Sequence, residues 1–168
     1  MEQTKRSQKE EGRRGDAVVY RGLDAGEIDR QLFAQFIRRQ EVTLCRRREK
    51  GVWVVREDPF IDDWTKEEYQ VLITCLKNTV YTGGFVYGAF VHGILKGFTS
   101  VEAGLFGGDN RYLDLSCIHV SEDMRGRGIG KALFTAAADW ARQHGAGKLY
   151  ISAHSAVETQ AFYQAMGC

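Results

Sequence analysis

Proline is nearly missing from this sequence: Pro59 stands alone among 168 residues, and no repeat or low-complexity linker interrupts the chain. An excess of charge is missing too. Lys and Arg number 23 against 22 Asp and Glu, a net charge of +1, which argues against nucleic acid or an anionic membrane as the main partner. No apolar run approaches the ~20 residues needed to span a bilayer. The polar stretch Met1–Asp16 lacks the apolar centre of a secretory signal, so the cytoplasm is the expected compartment. Cysteines fall only at positions 45, 75, 117 and 168, without C-x-x-C spacing and without histidines at ligand spacing. That excludes the usual zinc sites, so reduced, mostly buried thiols and no metal are expected.

What is plentiful is glycine, with 19 residues, many of them between Gly83 and Gly147. Glycine at that density marks tight turns and close backbone approaches. The length suits one domain with a real core. We read 1–16 as a disordered polar tail, since it has no apolar periodicity, and 17–168 as a single domain. Ala17–Tyr20 is a short β-prone run. Asp24 with Glu27 forms a capping-box pattern, and Ile28, Leu32, Phe33, Phe36 and Ile37 recur at helical spacing, predicting a helix over 25–40. Val52–Val55 predicts a short strand. Thr65 with Glu68 caps a second helix whose apolar face is Tyr69, Leu72, Ile73, Leu76 and Val80. Strands are predicted at 85–91, 94–101 and 112–120, with turns at His92-Gly93 and at Gly107–Asn110. A helix over 128–144, a buried-type strand over 149–153 and a last helix over 157–166 complete the order. Antiparallel and crossover connections mix, so the fold class is α+β (mixed α/β) around one central sheet.

The segment Arg125-Gly126-Arg127-Gly128-Ile129-Gly130-Lys131 lies between the strand ending at Val120 and the start of a helix. A helix N-terminus offers free N–H groups and the positive end of a dipole, and glycines let a phosphate reach the backbone. The result is an anion cradle, with Arg125, Arg127 and Lys131 adding charge. A Walker A loop fails, because Ala132 stands where the metal-binding hydroxyl belongs. A Rossmann loop fails as well: the spacing is G-x-G-x-G, the turn does not follow the first strand, and no acid lies near Tyr150.

Arg125-x-x-Gly128-x-Gly130 resembles the R/Q-x-x-G-x-G/A motif of GNAT-superfamily N-acetyltransferases. Ile118-His119-Val120 looks like that family's strand into the loop, and Phe162-Tyr163 with Gly167 looks like its later F-Y-x-x-x-G helix. The likeness is clear from about Gly84 onward. It implies a mixed, mostly antiparallel sheet flanked by helices, in which two splayed parallel strands form the cleft for acetyl-CoA, the co-substrate. It implies that Arg125 to Lys131 bind the pyrophosphate, and that the main chain around Ile118, His119 and Val120 bonds the pantetheine and acetyl carbonyl. A backbone N–H there would also stabilise an oxyanion. Tyr163 matches the tyrosine proposed as general acid for the leaving thiolate. Asp114 falls where some members carry a glutamate base, and by period two it would share a strand face with Ser116, Ile118 and Val120. Glu102 and His154 are further candidates for the base. Cys117 is the weaker choice as a nucleophile, because the family transfers the acetyl group directly.

The sequence departs from the family at two points. The asparagine expected to contact CoA is replaced by Ala156, with Ser155 beside it as a substitute contact. The family continues with two more strands where this chain stops at Cys168, so a C-terminal truncation or a second copy of the chain, forming a homodimer, is expected at the exposed edge. Trp53, Phe60, Trp64, Tyr69, Tyr87 and Asp58, Asp62 and Asp63 would give an acceptor wall suited to a cationic amine of a small molecule or protein. The same acids also complement a helix N-terminus, and Arg46-Arg47-Arg48 reads as a solvated turn. The alternative to an acyltransferase is a catalytically inactive acyl-CoA sensor on the same fold.

Overall fold

A computed structural model describes residues 17–168; the expected tail over 1–16 lies outside them. Five strands form the main sheet in the order β1-β4-β5-β6-β7. They are β1 (Val18–Gly22), β4 (Phe85–Val91), β5 (Ile94–Val101), β6 (Tyr112–Val120) and β7 (Lys148–Ile151). Neighbours are antiparallel except β6 and β7, which run parallel. Two further strands, β2 (Gln40–Glu49) and β3 (Val52–Asp62), form a separate ribbon. The helices are α1 (Lys66–Tyr81), α2 (Ile129–Gln143) and α3 (Val157–Ala165). The mixed fold class is therefore as read from the sequence.

Local chemistry explains most of these elements. Thr65 caps α1, its side chain accepting from the Glu68 N–H while Glu68 accepts from the Thr65 N–H. The α1 face Tyr69, Leu72, Ile73 and Leu76 buries against Phe90, Leu95 and Phe98 on one side of the sheet. On the other side, Ala137 and Ala141 of α2 cover Leu113, Leu115 and Val101, while Ile129 and Leu133 pack on Ala89 and Val91. Helix α2 comes so close to the sheet that a Cβ on Gly97 would lie 2.8 Å from Ile129 Cγ2. The β4–β5 turn has positive φ at both His92 (52°) and Gly93 (76°), as a two-residue hairpin requires.

Three expectations fail. No helix forms over 25–40; the chain there makes successive turns. Asp24 accepts from the N–H groups of Gly26 and Glu27, and Asp29 then accepts from Leu32 N–H at 2.9 Å, so side chains restart the turn before a helical ladder can propagate. Ile28, Phe33 and Phe36 still reach the core. Second, Arg46–Arg48 are not a turn but part of β2; the reversal falls at Lys50-Gly51, with φ of 48° and 85°. β3 runs far past Val55 because Pro59 sits at the register shift opposite Thr43, where no ladder bond is lost. Third, the pairing of β5 with β6 slips between Ser100↔Cys117 and Val101↔Leu115, leaving Ser116 as a bulge. The bulge reverses the alternation. Leu113, Leu115 and Ile118 share one cluster beneath α2, so Asp114 is turned away from Ile118 and Val120.

Candidate active site

The glycine-rich turn leaves β6 at Val120 and enters α2 at Ile129. Gly126 and Gly128 have φ of 73° and 83°, which L-residues rarely adopt, and nothing lies within 4 Å of either Cβ position. Gly128 caps α2 without a side-chain hydrogen bond, and the ladder begins with Ala132 N–H donating to the Gly128 carbonyl. The N–H groups of Ile129, Gly130 and Lys131 thus have no intrahelical partner at the positive end of the helix. The donors on offer to an anion at this turn are backbone groups.

Arg125 braces the turn. Its Nε donates to the Val120 carbonyl at 3.2 Å, and its Nη2 donates to the carbonyls of Arg38 and Arg39 at 3.1 and 2.9 Å. Burial and the nearby Arg38 hold its pKa below the usual arginine value.

Pairing between β6 and β7 ends at Leu115↔Ile151, so Ser116–Val120 has no partner on that side. The strands part there and open a cleft of about 550 Å³. Its lining includes the turn, Ile118, His119 and Val120 from β6, and Phe162 and Tyr163 from α3. A second cavity of about 170 Å³ lies further in, lined by residues such as Arg38, Cys117, Ser152 and His154. Gln40, Ile118, His119, Thr159 and Tyr163 line both.

These features match known proteins. The family model described as the acetyltransferase (GNAT) family matches residues 47–168, well over half of the chain. The chain belongs to the acetyltransferase (GNAT) family. It is an acyltransferase, and acetyl-CoA is its co-substrate. No curated protein matches it. Among solved structures, a nourseothricin acetyltransferase is 23% identical with a TM-score of 0.65, covering 89% of this chain and 82% of that one. A Bacillus anthracis protein assigned as a streptothricin acetyltransferase, solved with acetyl coenzyme A, is 18% identical with a TM-score of 0.68 over 90% and 84%. An aminoglycoside N-acetyltransferase, AAC(6')-Iy, in complex with CoA is 16% identical with a TM-score of 0.61 over 91% and 88%. Likeness at these identities is likeness of fold.

Within this acetyltransferase, the expected site residues divide. Ile118, His119, Val120, Arg125, Gly126, Gly128, Ile129, Gly130, Lys131 and Tyr163 all line the outer cleft. Arg127, Ser155 and Asp114 line neither cavity. Arg127 is exposed on the loop. Ser155 is tied to β2: its carbonyl accepts from Arg46 N–H at 2.8 Å and its hydroxyl accepts from Arg47. Asp114 lies beyond the bulge, where burial and Glu102 raise its pKa. Glu102 is occupied as acceptor for Thr79 and Ser116 at 2.7 and 2.9 Å. The acceptor wall is also dispersed. Tyr69 is buried with its hydroxyl on the Phe36 carbonyl, Trp53 is exposed, and Asp58 pairs with Arg47.

Tyr163 stands between the two cavities. Burial, with Cys168 and Cys117 nearby, pushes its pKa up to about 12, so the phenol stays protonated. Cys117 is pushed up to about 11 by burial, which suits a core thiol and not a nucleophile. His119 packs against Trp64 with ring centroids 4.7 Å apart; burial and the neighbouring Arg38 lower its pKa to about 3. It is a neutral imidazole.

Sequence reasoning passed over the inner cavity's charged group, which is Arg38, 6% exposed. Arg38 Nη2 pairs with Asp62 Oδ2, and the guanidinium sits 5.0 Å over the Trp64 ring. His154 Nε2 lies 3.6 Å from the same Asp62 oxygen. Arg38 Nε is buried with no hydrogen-bond partner among the described residues. A buried donor left unmade costs about 1–3 kcal/mol. No local pattern announces Arg38; it falls within the segment read as a helix over 25–40, and its partners lie far along the chain.

Proposed function

We propose that the chain acetylates a primary amine carried on a slender arm, with the acetyl group presented in the outer cleft and the amine in the inner cavity. The observation that carries this reading is the position of Tyr163, which lines both spaces at once. The open edge of β6 offers N–H groups toward an acyl oxygen. His154, whose Nε2 faces Asp62 at 3.6 Å, takes the proton from the amine at Nδ1, displacing the long 3.4 Å contact from the Ala156 N–H; Asp114, which lines neither cavity, is not used. The carbon–nitrogen bond forms, the carbon–sulfur bond breaks, and the Tyr163 phenol donates its proton to the departing sulfur. The free N–H groups of Ile129 to Lys131, with the Lys131 ammonium, hold the pyrophosphate. Arg125 acts indirectly, by fixing the turn.

The inner cavity holds about six waters' worth of volume, at ~30 Å³ each, which is room for an amine-bearing arm. An antibiotic, another small molecule or a protein side chain can supply such an arm, and the neighbours named for nourseothricin and streptothricin favour the small molecule. Free thiols and an acetyl-CoA co-substrate suit the cytoplasm. Thiol release from acetyl-CoA, followed over a panel of primary amines, tests the reading. Amine-dependent release supports it. CoA binding without release on any amine contradicts it and returns the chain to an acyl-CoA sensor.

A further inference from the structure

The base stands in only one of the two spaces that meet at Tyr163. His154 lines the inner cavity but not the outer cleft. Its neighbours fix which nitrogen is available. Nε2 faces Asp62 Oδ2 at 3.6 Å, so the ring proton sits on that side. The Ala156 N–H, which can only donate, points at Nδ1 from 3.4 Å, so Nδ1 presents its lone pair. Phe60 meets the ring edge-on with centroids 5.7 Å apart, and the Gln160 amide donates to the His154 carbonyl at 3.3 Å. The imidazole is held in one orientation.

Thr159 Oγ1 lies 3.5 Å from that Nδ1. Thr159 is one helical turn before Tyr163 on α3, so the two share a face, and both line both spaces. Gln40, Ile118 and His119 also line both, but none of them can carry a proton across. Ile118 is apolar and Gln40 ends in an amide. His119 packs against Trp64 and Phe98, and burial with Arg38 nearby lowers its pKa to about 3.

We propose that Thr159 is a further catalytic residue, whose hydroxyl takes the proton of the attacking amine and passes its own to His154 Nδ1. The inference rests on the reading that His154 is the base and that the amine meets the acetyl group between the two cavities; it supplies the path between them. As the carbon–nitrogen bond forms, the nitrogen gives a proton to Thr159 Oγ1, and the Thr159 O–H bond breaks toward Nδ1. The threonine ends as it began. The net movement is one proton from amine to imidazole, and Asp62 faces the imidazolium that results. The electron pair of the broken carbon–sulfur bond leaves with the sulfur, which takes the Tyr163 proton. A hydroxyl suits the relay because it donates and accepts at once. A separation of 3.5 Å is long for such a bond, and catalytic contacts of this kind tighten when substrate is bound.

Three variants test this, assayed by thiol release from acetyl-CoA with a primary amine that the wild type turns over. Thr159→Val removes the hydroxyl and keeps the shape. It is expected to lower kcat by about 10–100-fold, with acetyl-CoA affinity within about threefold by calorimetry and an unchanged thermal melt as the check on folding. Thr159→Ser restores the hydroxyl and is expected to stay within about threefold of the wild type. In a His154→Gln background, Thr159→Val is expected to cost about twofold or less, because relay and base act as one unit. The inference is overturned by a Thr159→Val variant that keeps kcat, or whose loss lies in acetyl-CoA affinity alone. It is overturned equally by Thr159→Ser falling as far as Thr159→Val, or by effects of Thr159→Val and His154→Gln that multiply. Each of these leaves the acetyltransferase reading intact. Absence of thiol release with every amine overturns that reading, and the inference with it.

Discussion

The two ends of the cleft are made of different material. At the outer end the groups on offer are main-chain N–H donors at the start of α2, displayed by Gly126 and Gly128 with positive φ. At the inner end they are side chains: Arg38, Asp62 and His154, delivered by the segment before β2, the end of β3 and the loop after β7. Backbone recognition needs a local conformation, so one short segment carries it. Side-chain recognition needs convergence of distant segments, so the fold as a whole must set it. On the proposed function, a shared donor and a variable acceptor follow from that difference: the outer end stays fixed while substitutions at the inner end change what is acetylated.

Variants can break the two ends separately. The largest effect is expected at Gly128. Gly128→Glu forces an L-residue to a φ of 83° and sets a carboxylate against the pyrophosphate. Backbone strain of about 1–2 kcal/mol with like-charge repulsion of about 1–4 kcal/mol should weaken CoA binding about a thousandfold by titration calorimetry. Unchanged affinity would mean that the cradle is elsewhere.

Tyr163→Phe comes next. It should lower kcat by about 10²–10³ while leaving CoA affinity within about threefold, because only the proton donor is removed. The wild-type phenol, its pKa pushed up to about 12, should give no loss of kcat through its own ionisation across the neutral and mildly alkaline range. His154→Gln should lower kcat/KM by about 10–100-fold with donor affinity unchanged, confining its effect to the inner end. A smaller effect concerns stability. His119 is neutral in the folded protein, with its pKa lowered to about 3, against the ordinary value of 6.5 in the unfolded chain. Above pH 6.5 neither state binds the proton; as pH falls from there toward 3, only the unfolded state does. Stability is therefore lost on that acid limb by up to about 1.4 kcal/mol per pH unit, and His119→Gln should flatten it in denaturant titrations at stepped pH.

The same contrast explains how far the sequence could be read. The cradle, the strand Tyr112–Val120 and the Phe162-Tyr163 helix are local patterns, and each forms with nearly its predicted bounds. The bulge at Ser116 was not legible, because a period-two reading assumes unbroken pairing, and it misplaced Asp114. The helix predicted over 25–40 met the spacing rule, but Asp24 and Asp29 each drew the backbone into a turn. That misreading hid Arg38, whose partners Asp62 and Trp64 lie across the fold. Arg125 was read as a phosphate ligand, yet its donors go to three carbonyls. Charge beside a cradle does not reveal whether it faces the ligand or the frame.

A crystal structure with acetyl-CoA tests the account most directly. The pyrophosphate should lie on the N–H groups of Ile129, Gly130 and Lys131, with the acetyl carbon beside Tyr163 and directed toward the cavity that holds Arg38 and His154. A pyrophosphate held away from that turn, or an acetyl group directed out to solvent with the inner cavity closed off from it, would contradict the account.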